Sequence, residues 1–183
     1  MAVLPALHFE TDGLYILLSD RGEDSYGSFH WSLFLAKSNT TGTMFHLINA
    51  TLIDSIRAAS ASSWRYETKS SIASQSRRLL LALKVGVLEP VLQDAVGDRL
   101  AQVPIEEYST RFGEDVTCRV WLKEALFALN DEGYVTLTKS IDGIENEARF
   151  LAIRNQSNRR RTIVYSGSTG MSWKSRYVCG PAA

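Results

Sequence analysis

Residues 29–50, FHWSLFLAKSNTTGTMFHLINA, decide how the rest of the chain is read. Phe29 to Ala36 is aromatic-rich and of strand length, and Met44 to Ala50 is a second apolar run of the same kind. Between them, Ser38-Asn39-Thr40-Thr41-Gly42 has the composition of a turn. The stretch therefore reads as an antiparallel hairpin, and it carries His30 and His46, two of the three histidines in the chain. Side chains alternate along a strand, so the two imidazoles share a face only if the pairing register has even parity. The irregular turn leaves that register open.

Upstream, Leu14 to Ser19 is a short apolar run bounded by Asp12-Gly13 and Asp20-Arg21-Gly22, the pattern of a buried strand. Downstream, Trp64-Arg65-Tyr66-Glu67 reads as a strand inside the Ser-rich stretch Ser60–Ser76. Arg78 to Leu88 is preferred as a strand over a helix. Glu89-Pro90 opens a short helix in which Val91, Leu92, Ala95, Val96 and Leu100 have helical spacing, ending before Pro104. From Cys118, residues Trp121, Leu122, Ala125, Leu126 and Leu129 fall on one buried helical stripe. Asp115 or Thr117 is placed to cap it, and Gly133 follows its end. Ile141 to Arg154 forms a further helix with Ile144, Ala148 and Leu151 on one side, and the tail from Tyr165 to Ala183 is rich in Gly and Ser. The expected fold is α+β, a mainly antiparallel sheet packed against helices, as one domain over residues 1–183.

Composition narrows the function classes. Lys+Arg and Asp+Glu both total 20, for a formal net charge of +0. A dedicated nucleic-acid binder needs a basic surplus, so none is expected. The longest nearly apolar run, Leu79 to Leu88, is broken by Lys84 and Gly86 and falls short of the roughly 20 residues of a membrane-spanning helix. The N-terminal sequence lacks the pattern of a secretory signal. Two cysteines, Cys118 and Cys179, do not make a disulfide framework. These features imply a soluble, cytoplasmic protein without membrane association. No zinc motif and no Gly-rich phosphate loop occurs, so neither a metal nor a cofactor is expected.

A thiol becomes a good nucleophile when its thiolate is stabilised by a helix N-terminus and a nearby imidazolium. Cys118, in the first turn of its helix, meets the first condition, and a neighbouring hairpin with His30 and His46 would meet the second. The bland reading of each is a core residue: a small buried cysteine and hydrogen-bonded histidines. His8, Glu114, Asp115 and the Arg159-Arg160-Arg161 cluster are assigned local or solvated roles.

The pieces Phe29-His30-Trp31-Ser-Leu-Phe-Leu, Phe45-His46-Leu and Thr117-Cys118-Arg-Val-Trp-Leu-Lys-Glu-Ala-Leu resemble the circularly permuted NlpC/P60 group, which includes the lecithin retinol acyltransferase-like, papain-like proteins. The chain also resembles a set of fungal proteins of about this length that share the His-Trp and Cys-Arg-x-Trp elements. The first resemblance implies a permuted NlpC/P60-like fold, Cys118 as nucleophile, His30 as the base and His46 as the residue orienting the His30 ring. Thr117 stands where that group usually has Asn, and the histidines lie further apart here. The same resemblance implies a thiol-dependent hydrolase or acyltransferase acting on an amide, ester or thioester of a small-molecule or peptide substrate. Trp31, Tyr26 and Thr117 are expected beside that substrate. Two rival readings are a non-catalytic binding module that keeps the fold, and a lipid-modifying acyltransferase. The second ranks lower because no hydrophobic anchor is visible.

Overall fold

The computed structural model describes residues 7–22, 26–49, 64–73 and 76–167. Five strands come first: β1 (Gly13–Asp20), β2 (Phe29–Ala36), β3 (Gly42–Asn49), β4 (Trp64–Ser71) and β5 (Leu79–Val87). A 3-10 turn (Pro90–Leu92) and helix α1 (Gln93–Ala101) follow, then the short strands β6 (Tyr108–Ser109) and β7 (Glu114–Asp115). Helices α2 (Cys118–Asp131) and α3 (Ile141–Ser157) precede the last described strand, β8 (Thr162–Tyr165). The main sheet has the order β4-β3-β2-β1-β5-β8, antiparallel except for the parallel pair β5–β8. The fold is thus α+β, and the described residues form a six-stranded, mostly antiparallel sheet and three helices.

Two apolar clusters flank the sheet. Leu14, Ile16 and Leu18 of β1 join Trp31, Leu33 and Leu35 of β2 and the α2 stripe Trp121, Leu122, Ala125, Leu126 and Leu129. The alternate residues Tyr15 and Leu17, with Phe34 and Ala36, join Leu7, Phe9 and Ala73 on the other face. Strand β1 is therefore apolar on both sides, which explains its unbroken run LYILL. Gly42 closes the β2–β3 hairpin where a Cβ would lie 2.2 Å from the Leu35 carbonyl oxygen, so only glycine fits.

Thr117 caps α2 by accepting from the Val120 amide, and Gly133, with φ 77°, takes the left-handed position after the C-terminal turn. α3 is one turn longer than its sequence pattern predicts. The added turn carries Asn155, 3% exposed, whose Nδ2 donates to the Leu80 carbonyl (2.9 Å) and Thr162 Oγ1 (2.8 Å). These bonds bring β8 to β5, a parallel pairing no local pattern announced. No helix among the described residues is long and apolar enough to cross a membrane. The part of the tail containing Trp173, and residues 60–63 and 74–75 of the Ser-rich stretch, lie outside the described residues.

Candidate active site

The β2–β3 pairing matches Leu33 with Phe45 and Phe34 with Met44. Continued at the same register, Ser32 falls opposite His46, and His30 is the diagonal neighbour of His46 on the same face. Their rings meet: His30 Nε2 lies 2.7 Å from His46 Nδ1, with centroids 5.0 Å apart and planes at 75°. On the next strand, Glu67 pairs directly with His46, and its Oε1 stands 3.3 Å from His46 Nε2. Lys69 Nζ sits 3.5 Å from the same carboxylate oxygen. The result is a line of polar groups across three strands, Glu67–His46–His30. His46 is 4% exposed and satisfied at both nitrogens. His30 is half-buried, and its Nδ1 has no hydrogen-bond partner among the described residues.

Burial chiefly lowers the His30 pKa, helped by His46, Arg21 and Lys69, and brings it to about 4. His46 is likewise lowered, first by burial and then by Lys69, against the opposing pull of Glu67. Both rings are neutral at pH 7, so the His46–Glu67 contact is a hydrogen bond to a carboxylate and not an ion pair. Burial acts to raise the Glu67 pKa, but the His46 bond and the Lys69 charge prevail and hold it below its ordinary value.

Cys118 occupies the first position of α2, as its sequence predicts, but it does not meet His30. β2 pairs with β1 without a register break, so Phe29 and Trp31 point into the helix-side cluster that contains Cys118. His30, between them, points to the opposite face. The Sγ of Cys118, 1% exposed, accepts instead from Arg21 Nη2 at 3.3 Å. Among the described residues, no hydrogen bond links Cys118 to either histidine. The expected Cys118–His30 dyad is therefore not joined by a hydrogen bond among the described residues; Arg21, which holds the thiol, is also a cation whose charge reaches His30.

The expected substrate-side residues also separate. Trp31 is 4% exposed within the core and offers nothing to a ligand. Thr117 is engaged as the α2 cap. Tyr26 is exposed, its hydroxyl 2.8 Å from Ser157 Oγ at the end of α3. Sequence reasoning missed Glu67 and Arg21. Pairing Glu67 with His46 requires the β3–β4 register, which no tight turn sets, and Arg21 reads simply as a loop residue after β1.

A neutral imidazole oriented through one nitrogen and open at the other is equipped to move protons. Among the described residues, no group of three or more His, Cys, Asp or Glu side chains is arranged to hold a metal ion. No curated protein and no solved structure matches the chain. One family profile does, over residues 12–173, a span that takes in every strand and helix described above. The chain belongs to DUF6914, a family of unknown function.

Proposed function

We propose that this protein is a hydrolase or acyltransferase acting on an amide, ester or thioester, with His30 as its general base and His46 as the residue that orients it. The observation that supports this reading most is the 2.7 Å contact between His30 Nε2 and His46 Nδ1, which leaves His30 Nδ1 without a partner among the described residues. Nδ1 takes a proton from water or an alcohol, whose oxygen forms a bond to the carbonyl carbon. The tetrahedral adduct collapses as the C–N, C–O or C–S bond breaks, and the same proton passes from Nδ1 to the leaving group. A conjugate acid with a pKa of about 4 keeps the base form populated at neutral pH. It also makes proton return to the leaving group the easy half of the cycle. Arg21 and Lys69, the cations whose charge reaches His30, favour the negative charge that develops on the carbonyl oxygen.

The thiol-dependent form of this chemistry requires Cys118 Sγ to reach His30 Nδ1. It is the less favoured form, because Sγ is buried and accepts from Arg21. The permuted NlpC/P60-like assignment belongs to the same proposal. Its support is the chain order of two histidine strands followed by a cysteine helix, and the seating of Cys118 departs from it. The expected setting is cytoplasmic, with a small-molecule or peptide substrate.

A second reading, the non-catalytic binding module, is favoured by the burial of the Cys118 thiol. Turnover of a panel of p-nitrophenyl esters, amides and thioesters separates the readings. The enzyme reading expects His30→Ala to lower kcat by about 100-fold or more and Cys118→Ala to leave it near wild type. Undiminished turnover in His30→Ala overturns it. Loss in Cys118→Ala as well as in His30→Ala restores the thiol mechanism.

A further inference from the structure

Glu67 ends the polar line, and the direction of every hydrogen bond in that line is set by it. An ionised carboxylate accepts and never donates. His46 must therefore carry its proton on Nε2, which faces Glu67 Oε1 at 3.3 Å. In a neutral ring the other nitrogen, Nδ1, is then an acceptor. His30 Nε2, 2.7 Å from that acceptor, must be the donor, and the lone pair of a neutral His30 is left on Nδ1.

We propose that Glu67 is a positioning residue that sets the tautomers of both imidazoles and so makes His30 Nδ1 the basic atom. This rests on the reading of His30 as the base, but its structural content is independent of turnover. The geometry gives Glu67 this role without any contact to substrate: it reaches His30 only through His46, and the direct β3–β4 pairing of His46 with Glu67 fixes the distance. Lys69, 3.5 Å from Oε1, favours the ionised form of the carboxylate.

The experiment is 15N correlation spectroscopy of the side-chain nitrogens in the full chain labelled at histidine, at pH 7, with His30 and His46 assigned from their single variants. In the wild type, His30 Nδ1 is expected at the resonance of an unprotonated nitrogen and Nε2 at that of a protonated one. Glu67→Gln keeps an accepting oxygen and is expected to preserve both tautomers. Glu67→Ala removes it and is expected to move His30 toward an even mixture of tautomers. In the same variant, kcat on the best ester falls on the order of 10-fold with KM unchanged. A wild-type His30 protonated at Nδ1 overturns the proposal without any variant having to fold. So does Glu67→Ala with unaltered tautomers. If the tautomers behave as expected while His30→Ala retains activity, the positioning role stands and the enzyme reading falls.

Discussion

His30 and Cys118 take different hydrogen-bond partners, His46 Nδ1 at 2.7 Å from the imidazole and Arg21 Nη2 at 3.3 Å from the thiol, although the charge of Arg21 reaches both. The difference follows from alternation along β2, where His30 is flanked by the core residues Phe29 and Trp31. A one-residue slip of β2 would exchange the faces, turning Phe29, Trp31, Leu33 and Leu35 away from the helices to bring one imidazole to the thiol.

The first prediction concerns the thiol. With 1% exposure, Cys118 reacts with alkylating reagents only when α2 or its surroundings open. Its modification in the native protein at pH 8 is expected to be on the order of 100-fold slower than in urea. Arg21→Gln is expected to speed it only modestly, because burial sets the rate. Peptide mass mapping against time reads this directly, and rapid native alkylation would show that the thiol is open to solvent.

Stability should depend on pH through His30. Its folded pKa of about 4 lies below the ordinary 6.5, so the unfolded chain binds the proton more readily between those values. The favourable contribution is complete above about pH 6.5 and is lost as the pH falls through about 4. The loss amounts to about 3 kcal/mol. Urea midpoints at pH 7 and pH 4 should differ less in His30→Gln than in the wild type. Equal differences in the two proteins would show that His30 is not held neutral by the fold.

How much of this was legible beforehand depended on the range of the signal. Strand β2 and the β1, β3 and β5 segments could be read because apolar runs and turn residues are local, and the α2 stripe could be read from its 3.6-residue period. The Gly133 stop was legible for the same reason, and the cap was narrowed to Asp115 or Thr117, of which Thr117 is the one that accepts from Val120. The shared face of His30 and His46 awaited the register, since a turn of irregular type does not declare it. Trp31 was placed beside a substrate by resemblance to a motif, whereas its strand parity sends it into the core. Glu67 and Arg21 became visible only through long-range geometry, across the β3–β4 pairing and from the end of β1 to the start of α2.

Trp31 offers a direct check on that parity. If it is a core residue, Trp31→Ala leaves a cavity among Leu18, Leu33 and the α2 stripe. It is then expected to cost about 3–5 kcal/mol, measured by urea unfolding. Trp31→Phe, which keeps most of the ring, should cost far less. A substrate-side tryptophan would instead show a small stability change and a raised KM.

The last prediction concerns the clamp between α2 and α3. Lys123 is 4% exposed, and its Nζ lies 3.0 Å from carboxylate oxygens of Glu114, Asp142 and Glu145 and 4.4 Å from the Phe112 ring centroid. Arg119 bridges Glu114 and Glu145 beside it. Burial acts to lower the Lys123 pKa, but the three carboxylates outweigh it and raise it. Lys123→Met preserves the stem and leaves the half-buried Glu114 and largely buried Glu145 to Arg119 alone, at a cost of about 2–4 kcal/mol. Asp142, with its side chain 71% exposed, is screened by water, so Asp142→Asn should change stability by about 0.5 kcal/mol or less. The Glu114 pKa is held at about 2, chiefly by Arg119 and, against burial, by Lys123, below its ordinary 4.5. Its contribution is therefore present above about pH 4.5 and is lost as the pH falls through about 2. Lys123→Met should shift the acid-unfolding midpoint to higher pH. If Asp142→Asn were as costly as Lys123→Met, the exposed end of the network would be carrying the clamp, and the buried ammonium would not be its centre.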